Sequence, residues 1–310
     1  MSRTVAAVDC GTNSVRLLVL RREDDGSLAE LTRLTRLARL GQGVDATGEF
    51  HPDALARTFA VLDEYRDVIA AHGVDSTRFV ATSAARDVTN RDVLEAGVRE
   101  RLGVGVDVIS GDEEARLSSA GVLSGVDSAR PTLIFDIGGG STELVVVGED
   151  GDVASAVSLD IGAVRINERF LPTEPPTQAQ QAAARAFIDE KLDGSGTDFA
   201  SIAAAIGVAG TVTSVAADHL GLREYSRDAV HGTVLTRAVI DEANQRWLGQ
   251  TTDEIVAHSL MHPLRAAVIG AGSTILAEIV RRVPAGEVLV SETDILDGIA
   301  HELLDPVGSP

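Results

Sequence analysis

Residues 133–146 read LIFDIGGGSTELVV, and this stretch decides how the chain is organised. An apolar segment runs into Asp136, a glycine-rich turn follows, and a second apolar segment begins after Ser141. Two apolar segments joined by a short turn predict a β-hairpin whose carboxylate lies beside the turn. Glycine lets the backbone approach a ligand closely and direct N–H groups at it, which suits phosphate. An aspartate beside such N–H groups suits a hard cation carried by that phosphate.

The same pattern occurs near the N-terminus, where residues 5–19 read VAAVDCGTNSVRLLV. A shift of 127 positions places Asp9 on Asp136 and Ser14 on Ser141. Two ordinary hairpins are the simpler alternative, but agreement at several positions favours two similar lobes that clamp a phosphate–metal unit between them. The pattern Gly-x-Gly-x-x-Gly is matched at neither turn, so the stretches are not dinucleotide-binding fingerprints.

The composition bounds the class of protein. The 310 residues suffice for two domains, and 44% of them are apolar, which allows sizeable cores. We expect no membrane partner, because no apolar run approaches the roughly 18 residues that span a bilayer and no signal peptide is recognisable. Cys10 is the only cysteine. Since no disulfide can form within the chain, a cytoplasmic location is expected.

The charge narrows the choice of partners. The net charge is −20, and Lys191 is the only lysine. A field of this sign argues against a nucleic-acid-binding surface and against loose capture of any polyanion. An anionic substrate would need a focused pocket of arginines, glycine N–H groups and a divalent metal. The acid excess also suits a high-salt habitat, and the sequence leaves that alternative open.

Two further loops follow predicted strands. Residues 82–87, TSAARD, come after a strand predicted at 77–81, and the carboxyl ends of such strands are where α/β sheets bind ligands. Residues 207–214, GVAGTVTS, join a buried strand to a helix N-terminus, which forms a ready anion site. This second loop lacks the lysine of a P-loop, and an ordinary turn between strand and helix is the alternative.

Residues 110–117, SGDEEARL, open a helix. Acids such as Glu113 and Glu114 in a first helical turn complement the helix dipole, so the residues alone favour a capping role. In residues 28–40 a leucine occurs at about every third position, a pattern compatible with one or two strands or with a helix. Helices are also predicted at 274–283 and 294–304.

Together these stretches resemble the exopolyphosphatase / guanosine pentaphosphate phosphohydrolase (Ppx/GppA) family over nearly the whole chain. The resemblance is carried by residues 8–18, 81–87, 109–116, 136–143, 207–211 and 290–292. It implies an α/β protein with the actin-like ATPase (ASKHA) fold, which has two ribonuclease-H-like domains and an interdomain cleft. We expect the N-terminal domain at residues 1–128 and the C-terminal one at 129–310, and packing of the helix at 294–304 back on the first domain is the alternative for that segment.

The resemblance also implies Mg²⁺-dependent hydrolysis of the terminal phosphate of inorganic polyphosphate or, as the alternative, of guanosine pentaphosphate. The family's catalytic glutamate falls on Glu114, with Glu113 as the less favoured neighbour, and its phosphate-contacting arginine falls on Arg86. The implied metal-associated acids are Asp136, Glu143 and Asp9. The residues expected to contact phosphate are Gly11, Thr12, Asn13, Ser14, Arg16, Gly138, Gly139, Gly140, Ser141, Gly210 and Thr211.

The chain resembles the short, two-domain form, because longer members carry a further, mostly helical half. Asp297 stands where many relatives have a basic residue, which leaves the substrate preference open. We expect short polyphosphate chains as substrate, a homodimer, and neither nucleic-acid nor membrane partners. An ATP-dependent sugar or acetate kinase and a non-catalytic actin-like protein are the other classes, and phosphate release without an acceptor would discriminate among the three.

Overall fold

A computed structural model describes residues 2–305 and divides the chain into two compact units. The first unit contains the chain up to Ser124 together with the stretch from Thr293 onward. The second unit is Gly125–Glu292. Each unit is built around its own mixed β-sheet.

The first unit combines a mixed sheet with helices on both faces. Its strands are β1 (Arg3–Cys10), β2 (Ser14–Arg22), β3 (Leu28–Leu37), β4 (Ser76–Ala81) and β5 (Val106–Val108). Its helices before residue 126 are α1 (Val44–Thr47), α2 (Pro52–Ala71), α3 (Ser83–Arg86), α4 (Arg91–Leu102) and α5 (Gly111–Gly125). The strand order is β3-β2-β1-β4-β5, antiparallel among the first three strands and parallel from β1 to β5. The leucine-rich stretch at 28–40 is therefore a strand where it is regular.

Side-chain alternation along β1 sets which face of this sheet carries the polar residues. Ala6 and Val8 belong to the core that includes α2 and α4. Val5 and Ala7 belong to the opposite core, which includes Leu117 of α5. Because successive side chains of a strand point to opposite faces, Asp9 lies on the α5 face.

The second unit repeats this plan with an additional edge strand. Its strands are β6 (Thr132–Ile137), β7 (Thr142–Val147), β8 (Val153–Leu159), β9 (Ala204–Val208), β10 (Val234–Thr236) and β11 (Glu287–Val290). Its helices are α6 (Ala163–Phe170), α7 (Gln178–Asp193), α8 (Ala209–His219), α9 (Arg227–Val230), α10 (Arg237–Leu248), α11 (Thr252–His258) and α12 (Pro263–Arg282), with a 3-10 turn at Phe199–Ser201.

The two sheets share one topology. In the second, β6, β7 and β8 form an antiparallel meander, β9 and β11 extend it in parallel, and β10 closes the edge antiparallel to β11. A three-stranded meander extended by parallel strands is the ribonuclease-H-like arrangement. Its presence in both units confirms the predicted fold class and both predicted hairpins.

The last helix, α13 (Ile295–Leu304), belongs to the first unit. Its apolar side chains Leu296 and Ile299 join Val5, Leu18 and Leu117 in one core. The domain boundary expected from the sequence, between residues 128 and 129, lies four residues after the observed division at Ser124. That expectation placed the terminal helix in the second domain, with packing on the first domain as the alternative, and the alternative is what the structure has. The helix packs here because its apolar stripe covers the α5 face of the first sheet.

Helix α12 corrects two sequence expectations. It begins at Pro263 rather than at residue 274, with the His262 side chain accepting from the Leu264 N–H as its cap. By length and composition α12 could cross a membrane, contrary to the expectation that no apolar run approaches that length. Most of the helix is buried in the core of the second unit, where Ile269, Ile275 and Val280 pack, and a buried core helix passes the same test.

Candidate functional site

The glycine turns of the two units close with the same hydrogen bond. The Gly11 N–H donates to the Ser14 carbonyl at 2.9 Å, and the Gly138 N–H donates to the Ser141 carbonyl at 3.0 Å. The repeat seen in the sequence is therefore a repeat of backbone geometry. It brings the predicted phosphate-contacting residues of each turn together within their own unit.

The carbonyl groups of the first turn are occupied by the segment that follows β3. The Thr12 carbonyl accepts from the Gly41 N–H at 2.9 Å, and the Asn13 carbonyl accepts from the Ala38 and Arg39 N–H groups. A Cβ on Gly41 would lie 2.2 Å from the Thr12 methyl carbon, so this approach requires glycine. Thr12 Oγ1 and Asn13 Oδ1 are buried and have no hydrogen-bond partner among residues 2–305. A buried polar atom that lacks a partner is costly. The Thr12 hydroxyl would donate to a phosphate oxygen, whereas Asn13 Oδ1, which only accepts, would be satisfied by water in the hydration shell of the phosphate.

Asp9 and Arg16 form an ion pair beside this turn. They are directly opposite in the β1–β2 ladder, so their side chains share the α5 face. Asp9 Oδ2 accepts from Arg16 Nε at 2.9 Å and from Nη2 at 2.7 Å. Arg16 Nη1 donates to Asp294 Oδ2, at the start of α13. Burial raises the pKa of Asp9, the Arg16 guanidinium opposes that rise, and the Asp294 carboxylate adds to it.

Glu113 and Glu114 are adjacent at the start of α5 but have different surroundings. Glu114 Oε2 accepts from Arg86 Nη1 at 2.8 Å, and the Glu114 side chain is 12% exposed. Glu113 is 32% exposed and pairs with Arg116 one turn later at 2.7 Å. The Glu113 N–H donates to Ser110 Oγ at 3.2 Å, so Ser110 supplies a cap at this end. Capping therefore does not explain the burial of Glu114.

The electrostatics of Glu114 suit an acid–base group. Burial raises the pKa of its carboxyl, and the Arg86 guanidinium opposes part of that rise. Asp9 raises the pKa further, and Arg16 lowers it. Arg86 also donates to the Ile109 carbonyl at 3.1 Å, which ties its guanidinium to the segment just before α5. A carboxylate with a raised pKa is a better proton acceptor near neutral pH.

Asp136 and Glu143 form the corresponding pair in the second unit. They are directly opposite in the β6–β7 ladder, and both are buried. Ser158 on β8 donates to Glu143 Oε1 at 2.7 Å. Phe135 and Ile137 face the main core of this unit, so Asp136 faces the other side of the sheet.

Helix α6 holds the second turn from its carbonyl side. The Ala163 N–H donates to the Gly138 carbonyl at 2.9 Å, and the Val164 N–H donates to the Gly139 carbonyl at 2.8 Å. The Arg165 side chain donates from Nε to the Gly140 carbonyl at 2.8 Å. A Cβ on the preceding Gly162 would lie 2.4 Å from the Gly139 and Gly140 backbone, so glycine is required there as well.

Residues 207–214, predicted as a loop before a helix, form the end of β9 and the first turns of α8, and α8 begins with a strained residue. Ala209 has φ +68°, a left-handed conformation that is uncommon outside glycine and clusters at functional sites. Gly210 lies against the guanidinium of Arg265, which would be 2.7 Å from a Cβ at that position. Arg265 donates to the Gly210 carbonyl at 3.1 Å. Thr211 packs equally closely on Gly272, which belongs to α12 like Arg265.

The acids of the second unit fit a magnesium ion that arrives with phosphate. Mg²⁺ is usually bound through one or two carboxylates together with substrate phosphates and waters. Within residues 2–305 no group of three or more His, Cys, Asp or Glu side chains is placed to hold a metal by itself. Asp136 and Glu143 provide two carboxylates at one point of the sheet, and a cation would stabilise two like charges held side by side.

Sequence reasoning gave no role to three residues that contact the predicted sites. Arg165 donates to the Gly140 carbonyl and Arg265 to the Gly210 carbonyl, and Asp294 accepts from Arg16. Arg165 lies three residues after Gly162, and Asp294 directly precedes a helix, so both carried a local signal. Arg265 reaches a loop 55 residues earlier in the chain, for which the sequence holds no local signal.

Two ribonuclease-H-like units with glycine turns, paired acids and half-buried arginines define a phosphate-processing protein of the actin-like ATPase class. The chain belongs to the Ppx/GppA phosphatase family, whose model matches residues 19–306.

Similar proteins cover the chain nearly from end to end. Exopolyphosphatase 2 of Mycobacterium tuberculosis is 43% identical, over 96% of this chain and 98% of that protein. The crystal structure of an exopolyphosphatase-like protein superposes with a TM-score of 0.93 at 39% identity, covering 98% of this chain and 99% of that one. The Ppx/GppA family member of Aquifex aeolicus superposes with a TM-score of 0.82 at 29% identity, covering both chains completely.

Proposed function

We propose that this chain is an exopolyphosphatase that hydrolyses the terminal phosphoryl group of inorganic polyphosphate. The observation that carries the proposal is the largely covered Glu114 held by Arg86, in a chain that is 43% identical to an exopolyphosphatase. Phosphoryl transfer needs positioning and charge neutralisation more than covalent chemistry. A single well-placed base, arginines and backbone N–H groups are therefore an adequate set.

In the first unit, Glu114 is assigned as the general base that takes a proton from the attacking water. The Arg86 guanidinium, 2.8 Å from Glu114, orients that carboxylate and is available to neutralise phosphate charge. Glu113 is not assigned, because it pairs with Arg116 at the more exposed side of the helix. The turn at residues 11–14 contributes phosphate contacts, which the buried Thr12 hydroxyl supports, because it is a donor without a partner among residues 2–305.

In the second unit, Asp136 and Glu143 would hold Mg²⁺, partly through waters. When bound, the ion would neutralise charge on the phosphate oxygens. Asp9 was expected among the metal-associated acids, but its Oδ2 atom already accepts two bonds from Arg16, so direct metal contacts are assigned to the other two. The N–H groups of residues 138–141 and 210–211 contribute to phosphate binding, with their loops braced by Arg165 and Arg265.

The test compares phosphate release from polyphosphate and from guanosine pentaphosphate, without any acceptor, by the wild type, Glu114→Gln and Glu113→Gln. A general base contributes about 10²–10⁴-fold, so Glu114→Gln should lose that factor in kcat while Glu113→Gln retains most activity. Faster phosphate release from guanosine pentaphosphate would indicate that the protein is a guanosine pentaphosphate phosphohydrolase, the alternative activity in this family. Release that requires a sugar or acetate acceptor would indicate a kinase, and no release at all would indicate a non-catalytic protein. The homodimeric state and the cytoplasmic location remain predictions from the sequence.

A further inference from the structure

We propose that Asp294, the residue that caps α13, is a positioning residue that fixes Arg16 beside Asp9. The inference rests on the proposed function, because it gives a role to contacts around the turn assigned to phosphate. It extends that function to a residue far along the chain, to which neither the family match nor the sequence motifs assign a task.

Arg16 is held at two edges of its guanidinium. Nε and Nη2 donate to Asp9 Oδ2, and Nη1 donates to Asp294 Oδ2. A guanidinium is planar and carries its donors in a rigid fork, so contacts at two edges fix both its position and its plane. If the Asp294 contact were lost, the group could turn about the Asp9 carboxylate.

The two oxygens of Asp294 have separate tasks. Oδ1 accepts from the Leu296 N–H at 3.0 Å, which caps α13, and lies 3.9 Å from Arg33 Nη1. Oδ2 is the atom that Arg16 binds. The Asp294 N–H donates to Asp297 Oδ2 at 2.8 Å, which completes a reciprocal capping box. The helix start therefore orients the Asp294 carboxylate toward Arg16. A shorter capping side chain would still cap α13 but would not reach Arg16.

The start of α13 is itself fixed against the helix that carries Glu114. A Cβ on Gly121 of α5 would lie 1.8 Å from the Asp294 carbonyl oxygen, and a Cβ on Gly298 would lie 2.0 Å from the Leu117 carbonyl oxygen. The two helix backbones are thus in direct contact at two glycines. Glu114 on α5 and Arg16 on β2 are positioned relative to one rigid element, the first turn of α13.

A second contact between β2 and α13 provides a matched comparison. Arg22 Nη1 donates to Asp305 Oδ1 at 2.7 Å at the other end of the helix. It joins the same strand to the same helical region through the same pair of residue types. Asp305 is 70% exposed, whereas Asp294 is 11% exposed, and Arg22 contacts none of the proposed site residues. Substitution of Asp305 therefore shows how far weaker attachment of α13 to β2 changes kcat when Arg16 keeps its contacts.

The experiment is a double-mutant cycle with Asp294→Ser, Arg16→Gln and the double variant, and with Asp305→Ser as the control. Serine keeps a good N-cap but is too short to reach Arg16. Asp294→Ser should lower kcat about ten- to a hundredfold with little change in KM, because Arg16 is among the residues expected to contact phosphate and a 1 Å misplacement of a substrate-positioning group can cost about 10²-fold. Asp305→Ser should leave kcat near the wild-type value. If Asp294 acts through Arg16, the double variant should lose no more than Arg16→Gln alone.

Independent, additive losses from Asp294→Ser and Arg16→Gln would overturn the proposal, as would a loss of kcat equal to that of Asp305→Ser. Failure of the proposed function is distinguishable, because the wild type itself would then release no phosphate. In that event a crystal structure of Asp294→Ser decides the matter without activity. Rotation of the Arg16 guanidinium away from Asp9, with α13 unchanged, supports the proposal, and an unmoved Arg16 contradicts it.

Discussion

Arg16 occupies in the first hairpin the place that Glu143 occupies in the second. Asp9 is paired with Arg16 across β1 and β2, and Asp136 is paired with Glu143 across β6 and β7, at the same register relative to the glycine turn. One duplicated hairpin thus presents an acid beside a base in one unit and an acid beside an acid in the other. The first pair is internally neutralised, whereas the second suits a divalent cation.

The paired acids lead to a prediction about metal dependence. Asp136→Asn and Glu143→Gln should each raise the Mg²⁺ concentration that gives half-maximal phosphate release, because each removes a hard anionic oxygen. Asp150→Asn, an exposed acid in the turn between β7 and β8, is the control and should titrate like the wild type. The measurement is a Mg²⁺ titration of initial rates. Wild-type activity that is indifferent to a chelator would refute the assignment.

The raised pKa of Glu114 leads to a prediction about pH. The acid limb of kcat/KM should lie above the ordinary glutamate range of about 4.3, since activity is lost as pH falls and the carboxylate becomes protonated. Arg86 lowers the pKa of Glu114, so the residual activity of Arg86→Gln should show this limb at still higher pH. Arg116→Gln, which removes the partner of Glu113, should leave the limb in place. A downward shift in Arg86→Gln would contradict the proposed electrostatics.

The crossing of α5 and α13 leads to a prediction about stability. Gly298→Ala should lower the free energy of unfolding by about 1–3 kcal/mol or more, because the added methyl group would meet the Leu117 carbonyl oxygen at 2.0 Å. Gly105→Ala is the matched control, since a Cβ there meets no atom within 4 Å and φ is not left-handed. It should be neutral or stabilising by up to about 1 kcal/mol. Denaturant unfolding followed by circular dichroism measures both, and equal stabilities would show that the helices separate easily.

The charge of the chain leads to a prediction about substrate length. With a net charge of −20, polyphosphate outside the binding loops is repelled, so each further phosphate gains little. We therefore expect preference for short chains and release of one phosphate per encounter. The checks are kcat/KM against chain length and sizing of partly digested product on a gel. A steep rise of kcat/KM toward polyphosphates of hundreds of units, without visible products of intermediate length, would show that the enzyme is processive and would contradict this prediction.

The hairpins and the topology of both units could be predicted from sequence because their signals are local. The apolar segments on either side of Asp9 and Asp136 are continuous, and a short glycine-containing turn separates them in each hairpin. The Arg16–Asp294 contact could not be predicted in this way, since its partners lie 278 positions apart and neither has a pattern that points to the other. The start of α12 was missed because its first turns are less densely apolar than its buried centre.

The choice between Glu113 and Glu114 shows a different limit. Both lie in the first turn of α5, and neighbouring positions on a helix differ in direction by about 100°. Only the packing of α5 on the sheet determines which of the two faces Arg86. The resemblance to a family favours Glu114, and the contacts of the two side chains support that preference, which the comparison of Glu114→Gln with Glu113→Gln tests.

The packing of α13 on the first unit affects how the protein folds during its synthesis. Domains commonly fold in order as they leave the ribosome, the N-terminal one first. Here every residue of the second unit is synthesised before the first unit receives the helix that covers its α5 face. A nascent chain therefore carries an Asp9–Arg16 pair without its Asp294 contact until α13 emerges, and a ribosome that stalls at residue 292 leaves that apolar face open to chaperones.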